Sequence, residues 1–402
     1  MKTRQEEEAD IKKRLRGSDS SHWYDQKGAA CHEIEMKSKP GQFRNVTKTD
    51  AAKKDLLPSV TNVLSKCDPK PGLDDWKRNL LFQAMYDNMD LFAKMFGSAS
   101  AKEADDFSIH CKRLDTIAFE SSKGAANVGS MFHLLMEILT DWYILGVTKD
   151  FDDTQSELMK RSGVKVPMHF IYVSTRIFGE VAKMLLPWND MHKNSPVSQE
   201  FNIVWNQPLP HGSRFGLGGK FDLLIQACPQ SKIVQNLIMV LDQNGPEFKP
   251  LSAQVRARSQ ENLPINILLD WKTRKPTRAK RHPHTLTFPA YNTDAAQLAA
   301  YGEGLKMSDR CIPVHVHLNL LVASDVLSLD HSASPPEFKE FSDLFQARFY
   351  TNDQIEAGVE LLESSCMIWK NNEKSSHLAK KNKGGKTSMY IPQVLDDDEA
   401  VS

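Results

Sequence analysis

Hydrophobic and polar positions follow two different periods along the chain, and these periods separate predicted helices from predicted strands. Apolar residues recur every three or four positions in several stretches, which predicts helices at 73–96, 128–145, 168–187, 295–305 and 353–370. Short apolar runs rich in strand-forming residues predict strands at 197–205, 220–226, 265–271 and 314–323.

This order of elements predicts an α/β domain over residues 56–370, in which helices flank a short mixed β-sheet. The polar ends, 1–55 and 371–402, mix both charges with little periodicity, and we expect them to be disordered. Residues 228–264 separate two neighbouring predicted strands by far more than a hairpin loop needs. We interpret that stretch as an insertion, in which IVQNLIMVLD supplies an extra strand and the remainder is a loop.

Composition narrows the class of protein but does not name a partner. Lysine plus arginine and aspartate plus glutamate both total 51, so only local clusters of charge can indicate nucleic-acid binding. The six cysteines are scattered without a C-x-x-C pair, which predicts reduced thiols and no iron–sulfur cluster. No apolar run approaches the ~18 residues of a membrane span, and MKTRQEEEADIKKRL has no signal-peptide core. We expect a soluble intracellular protein without a membrane partner.

Several residues with catalytic potential lie near the predicted strand ends. Asp270 and Lys272 close an apolar strand two positions apart, so their side chains are expected on one face. Asp222 begins the preceding predicted strand. His133 and Glu137 are spaced i,i+4 and share one face of a helix. The alternative for Asp270 and Lys272 is an exposed ion pair at a strand end.

Residue types of this kind are suited to metal-assisted phosphodiester hydrolysis. Two carboxylates on adjacent strands can hold Mg²⁺ or Mn²⁺, which activates water and screens the charge on a phosphate. A lysine on the same face can orient the nucleophile, and a neutral imidazole can complete the coordination. Gln297 and Tyr301, again spaced i,i+4, lie on the helix that follows the D-x-K strand.

The order of these motifs resembles the PD-(D/E)XK nuclease superfamily. The motifs are G-x-x-x-H-x-x-x-E at 129–137, G-x-x-D at 219–222, D-x-K at 270–272 and Q-x-x-x-Y at 297–301. The chain is most similar to the RecB and lambda-exonuclease-like branch. Within it, PSVTNVLS, LDDWKRNL and QLAAYGEGL resemble the mitochondrial genome maintenance exonucleases.

The resemblance implies a restriction-endonuclease-like core with extra N-terminal helices and Mg²⁺- or Mn²⁺-dependent exonuclease activity on free single-stranded DNA ends. It implies catalytic roles for Asp222, Asp270 and Lys272, and metal contacts from both aspartates, from His133 and from the Trp271 backbone carbonyl. The residues that it implies as supports for the site or the DNA are Glu137, Glu200, Gln297 and Tyr301. It also implies a mitochondrial role in DNA replication or repair, with the nucleus as the alternative compartment. A structure-specific endonuclease and a non-catalytic DNA-binding protein remain alternatives.

Basic and aromatic residues follow the D-x-K strand, where the mouth of such a site would lie. The basic ones are Arg274, Lys275, Arg278, Lys280 and Arg281. We expect them to contact the DNA backbone, with a solvated loop as the alternative. Phe288 and Tyr291 are candidates for stacking on the bases of a single strand.

The glycines at 216, 218 and 219 precede Asp222 and predict a tight turn that lets a backbone approach DNA. No predicted helix follows them, so they do not form a dinucleotide-binding loop. His315 and His317 alternate in a predicted strand, and without a third ligand they indicate only a shared strand face.

Overall fold

The structure is a computed structural model, and it describes residues 23–31, 33–36, 38–67, 71–89, 114, 117, 127–185, 197–199, 202–208, 214–279, 282–308, 311–329 and 344–382. The strands in chain order are β1 (Trp23–Tyr24), β2 (Glu33–Glu35), β3 (Phe43–Asn45), β4 (Leu57–Pro58), β5 (Val197–Gln199), β6 (Asn202–Pro208), β7 (Arg214–Lys220), β8 (Leu223–Ala227), β9 (Ile265–Arg274), β10 (Thr277–Ala279), β11 (His282–Thr287), β12 (Val316–Ala323) and β13 (Phe345–Tyr350). The helices are α1 (Lys48–Lys53), α2 (Val60–Cys67), α3 (Pro71–Asp87), α4 (127–144), α5 (Phe151–Ser162), α6 (Met168–Leu185), α7 (Lys232–Gln243), α8 (Lys249–Gln260), α9 (Asn292–Met307) and α10 (Asn352–Asn382). In this part of the chain, no helix is both long enough and apolar enough to cross a bilayer.

A five-stranded mixed sheet forms the centre of the fold, in the order β13-β12-β9-β8-β5. β9 and β12 run parallel, and the other neighbouring strands are antiparallel. The predicted α/β class is therefore confirmed. Two predicted strands are each divided in two: 197–205 contains β5 and the start of β6, and 220–226 begins at the last residue of β7 and continues in β8.

Helices cover both faces of this sheet, which explains why its central strands are apolar on both sides. Leu223 and Leu269 belong to one buried cluster, together with apolar residues of α4, α6 and α7. Leu224 and Leu268, one position away in each strand, belong to a second cluster with α2, α9 and α10. The two central strands therefore place alternate residues into two separate cores.

The interpretation of 228–264 as an extra strand and a loop is wrong, because the segment forms the helices α7 and α8. Ile233, Val234, Leu237 and Leu241 are buried in the first cluster, and their spacing is that of one helical face. The apolar patch is short enough to be a strand, but its apolar residues recur with the period of a helix, and it folds as a helix.

Part of the N-terminal stretch that was expected to be disordered is folded. Trp23 and Val46 are buried against the second cluster, and Ala51 on α1 is fully buried there. Thr47 begins α1 with a capping box to Asp50, which satisfies backbone N–H groups at the helix start. The apolar residues here are sparse, so their burial depends on contacts with distant elements.

The first part of the C-terminal stretch that was predicted to be disordered is helical, because α10 continues to Asn382. Leu362, Cys366 and Trp369 on its apolar face are buried in the second cluster. A helix anchored there continues into the polar sequence that follows. Residues 1–22 and 383–402 of the predicted disordered ends lie outside the described part.

The glycines before Asp222 lie within β7 and not in a tight turn, so that prediction is corrected. A Cβ atom on Gly218 would lie 2.4 Å from the Cβ and Cγ atoms of Tyr24. A side chain at position 218 is therefore excluded by the ring of a residue on β1. The absence of a Cβ lets the N-terminal segment pack on β7, and it gives no support to an approach by DNA.

His315 has a structural role that predicts how stability depends on pH. Its Nδ1 accepts a hydrogen bond from the Asn266 backbone N–H at 2.9 Å, which requires an unprotonated Nδ1. Burial, assisted by the charge of Arg258, lowers the pKa of His315 to about 4. An unfolded histidine has a pKa of about 6.5 and binds its proton first as the pH falls.

We therefore expect the free energy of unfolding to lose up to about 1.4 kcal/mol per pH unit through His315 between about pH 6.5 and 4. Above that window the contribution is complete. Urea unfolding at a series of pH values measures the slope. His315→Asn places an acceptor oxygen on Cγ, where Nδ1 stands in histidine, but does not titrate, and its slope should be shallower. Equal slopes for the two proteins would contradict the assignment.

Candidate active site

Asp222 and the second half of β9 meet where the interior strand β8 begins. Asp222 lies in the bend between β7 and β8, one position before the Leu223–Leu269 pair of neighbouring strands. Its Oδ2 accepts a hydrogen bond from the Trp271 backbone N–H at 2.7 Å. The backbone of β9 therefore fixes the Asp222 carboxylate beside the D-x-K segment.

Asp270 and Lys272 point to the same side of β9, as the strand period predicts. Lys272 Nζ lies 2.5 Å from Asp270 Oδ2. The ammonium also donates to Gln297 Oε1 at 3.0 Å, and Gln297 Nε2 donates to the Tyr301 hydroxyl at 2.7 Å. Gln297 and Tyr301 are buried on α9. The Lys272 ammonium is therefore held both by Asp270 of its own strand and by α9.

His133 joins the site from α4. Its Nδ1 lies 3.1 Å from Asp222 Oδ1, so the tautomer with a proton on Nδ1 donates to the carboxylate. Trp271, the residue between Asp270 and Lys272, turns its indole to the other face of the sheet. There it packs edge-on against Phe132 at 5.9 Å between ring centroids. The neighbouring residue of α4 thus secures the helix that carries His133.

The charges in this site depend strongly on one another. Burial raises the pKa of Asp222, but His133, Lys272 and the Trp271 N–H together bring it below its ordinary value. Burial raises the pKa of Asp270 to about 6, with Lys272 opposing the rise and Asp222 adding to it. Asp222 is therefore the more readily ionised of the two carboxyls.

For the two basic groups, Lys272 and His133, burial lowers the pKa and the neighbouring aspartates raise it. Burial alone lowers the pKa of Lys272, but Asp270, assisted by Asp222 and Asp294, brings it above its ordinary value. Burial likewise lowers the pKa of His133, and Asp222 reverses the shift. Lys272 is therefore a charged ammonium at neutral pH and not a general base.

One of the acidic residues from the sequence interpretation does not join the carboxylate pair, and a second lies outside the described part of the chain. Glu137 shares a helix face with His133, but its Oε1 forms an ion pair with Arg161 at 3.1 Å. Arg161 also pairs with Asp141 and Glu157, so Glu137 belongs to an arginine-centred cluster on α4 and α5. Glu200 lies outside the described residues.

The basic segment after the strand is less uniform than the sequence suggests. Arg274 is enclosed, with a side-chain exposure of 11 %, and pairs with Asp294, whereas Lys275 is exposed. The side chain of Arg278 lies outside the described part, as do Lys280 and Arg281. Of the two aromatic candidates, Phe288 is buried and Tyr291 is 44 % exposed. Stacking by Phe288 is therefore excluded.

Sequence reasoning missed two residues near the carboxylates. Lys220 lies at the end of β7. Burial lowers its pKa, and the nearby charges of Glu137 and Asp222 oppose that shift in part. Asn319 pairs with Asp270 across the β9–β12 register and donates to the Tyr350 hydroxyl at 2.9 Å. An asparagine in the middle of the apolar run VHLNLLVA is a signal that could have identified it.

The donor atoms of the site suit a hard divalent cation. Among the described residues, no three histidine, cysteine, aspartate or glutamate side chains already form a group that could hold a metal. Mg²⁺ does not require one, because it usually takes one or two carboxylates and fills its remaining positions with water and substrate oxygens. Asp222 and Asp270 suit that requirement, with the His133 imidazole beside them. The pKa of Asp270, raised by burial to about 6, still lies below 7, so both carboxylates are anionic at neutral pH, and a bound cation would favour the ionised forms further.

No protein-family model matches the sequence, and neither a curated protein nor a solved structure does so. Function is therefore inferred from the chemistry and geometry of these side chains.

Proposed function

We propose that this chain is a Mg²⁺- or Mn²⁺-dependent DNA exonuclease that hydrolyses phosphodiester bonds at free single-stranded ends, on a restriction-endonuclease-like core. The observation that carries the proposal is that Asp222, in the bend before β8, lies beside Asp270 and Lys272 of β9, with a histidine from α4 against the Asp222 carboxylate. The preference for ends and a role in DNA replication or repair in the mitochondrion rest on the sequence resemblance.

The burial of the Asp270–Lys272 pair argues against an ordinary surface ion pair. The two side chains are only 5 % and 20 % exposed. Burying such a pair costs more desolvation energy than its attraction commonly returns. Strongly perturbed, interacting charges of this kind concentrate at functional sites.

Each protein group has a defined task in phosphodiester hydrolysis. A divalent cation held by Asp222 and Asp270 would supply Lewis-acid activation of the attacking water and neutralise charge on the phosphate. The Trp271 N–H and His133 keep the Asp222 carboxylate oriented and ionised. The site thus presents oriented carboxylate oxygens before any substrate binds.

Lys272 provides a fixed positive charge beside the Asp270 carboxylate. Its ammonium can donate to the attacking water or to the oxygen on which negative charge develops. Gln297 holds the ammonium and Tyr301 holds Gln297, so the lysine needs little rearrangement in the transition state. Preorganised charge of this kind is the largest contribution that many active sites make.

The test is cleavage of matched linear and circular single-stranded DNA, each with Mg²⁺, with Mn²⁺ and with a chelator. We expect shortening of the linear strand from its ends with either cation, no product with the chelator, and an intact circle. Linear duplex DNA of the same sequence is the control for strandedness. Rapid cutting of the circle would show endonuclease activity and contradict the exonuclease assignment. An intact linear strand under all conditions would contradict the proposed function.

A further inference from the structure

Two arginines fix the corner that joins β11 to α9. Arg348 on β13 donates to the Phe288 and Pro289 carbonyls at 3.0 and 3.2 Å. Arg274 donates to the same Pro289 carbonyl at 2.8 Å and forms an ion pair with Asp294 in the first turn of α9. The corner is therefore held from both sides, although it lies in irregular structure.

The corner presents the ring of Tyr291 to solvent. Tyr291 is the N-cap residue of α9, and the residue is 44 % exposed. The Arg274 guanidinium lies 4.2 Å from the centre of its ring, a close cation–π contact. Asp294 neutralises Arg274, and the guanidinium is enclosed, so this arginine is better placed to hold the ring than to bind phosphate.

The ring lies beside the proposed active site. Asp270, Lys272 and Arg274 occupy alternate positions of β9 and share one of its faces. At a rise of about 3.3 Å per residue, Arg274 lies about 7 Å along the strand from Lys272. Asp294, the ion-pair partner of Arg274, is close enough to raise the pKa of Lys272. A nucleotide next to the scissile phosphate can reach the ring.

We propose that Tyr291 is a stacking platform for one nucleobase of a single strand, held in place by Arg274, next to the phosphate that is cleaved. The proposal rests on the proposed function and specifies its substrate. A base in a duplex is already stacked on both sides, whereas a base in a single strand can offer a face to the ring. Because every base has such a face, the platform selects single strands without selecting sequence.

The experiment measures binding without cleavage, in an Asp270→Asn background, with internally labelled single-stranded oligonucleotides. One set is intact, and in a second set a single abasic site is moved position by position from each end. Tyr291→Ala should weaken binding of the intact strand by about tenfold, the scale of one stacked base, while Tyr291→Phe should bind normally. At one position, an abasic site should weaken binding by the protein that keeps Tyr291 to the level of the Tyr291→Ala variant. The same abasic site should not weaken binding by Tyr291→Ala any further.

Other results would overturn the platform. Normal binding by Tyr291→Ala would contradict it. An equal loss of binding affinity with every abasic strand would also contradict it, because a structural effect of the substitution does not depend on which base is missing. The proposed function fails separately: if the unsubstituted protein cleaves single-stranded ends while Tyr291→Ala binds normally, only the platform is wrong. A parent protein that neither binds nor cleaves single strands would overturn both.

Discussion

Asp270→Asn is expected to abolish nuclease activity, with a fall of at least about 10²–10³-fold, the scale for removing one preorganised electrostatic group. Asparagine keeps the shape of the side chain but removes the charge that a divalent cation needs. Isothermal calorimetry with Mn²⁺ should show metal affinity lost together with cleavage. DNA binding should remain or become tighter, because one negative charge facing the phosphates has gone.

Lys272→Met should also abolish cleavage, but for a different reason. Methionine keeps the apolar stem and removes the ammonium, so no positive charge faces the developing charge on the phosphate. The Asp270 carboxylate then loses the partner that lies 2.5 Å away. Because ammonium and cation compete for that carboxylate, Mn²⁺ affinity should be kept or increased. The two variants are therefore alike in activity and opposite in metal binding.

Glu180→Gln is the matched control for these variants. Glu180 pairs with Lys183 at 2.7 Å on α6, where both side chains are substantially exposed. Such a pair contributes about 0–1 kcal/mol, so stability and cleavage should stay near those of the parent. Circular dichroism on all three variants separates loss of chemistry from loss of fold. If Asp270→Asn and Lys272→Met cut DNA like the parent, the assignment of this site is wrong.

The sequence predicts the D-x-K part of the site well because that prediction uses only a local rule. Side chains two positions apart in a strand share a face, and the Asp270–Lys272 ion pair follows from that alone. The i,i+4 spacing of Gln297 and Tyr301 is equally local, and their hydrogen bond is observed. Which donor reaches Asp222 depends instead on strand register, and no local pattern identifies the Trp271 N–H.

Tertiary contacts explain the errors. Glu137 has helical spacing from His133, but Arg161 on the next helix binds it. Arg274 belongs to a basic run, yet Asp294 lies opposite it in the fold and takes it out of solvent. Spacing on one element thus predicts which residues share a face, whereas partners from other elements decide which of them are available to a ligand.

The packing of α9, the helix that holds Lys272 through Gln297, predicts a large effect for a substitution far along the chain. Gly358 on α10 is buried against α9. A Cβ atom there would lie 2.8 Å from the carbonyl carbon and oxygen of Ala295 and 2.9 Å from the Ala296 nitrogen. These are backbone atoms of a helix and cannot move aside as a flexible side chain can.

Gly358→Ala should therefore lower the free energy of unfolding by about 1–3 kcal/mol, because overpacking outweighs the better helix propensity of alanine. Gly179→Ala on α6 is the control, since its Cβ would meet nothing within 4 Å. That variant should gain up to about 1 kcal/mol from helix propensity alone. Urea unfolding measures both. Separation of α9 from α10 also displaces Gln297, so cleavage should fall in Gly358→Ala and stay normal in Gly179→Ala. Equal stabilisation of the two variants would mean that α9 and α10 do not pack closely at Gly358.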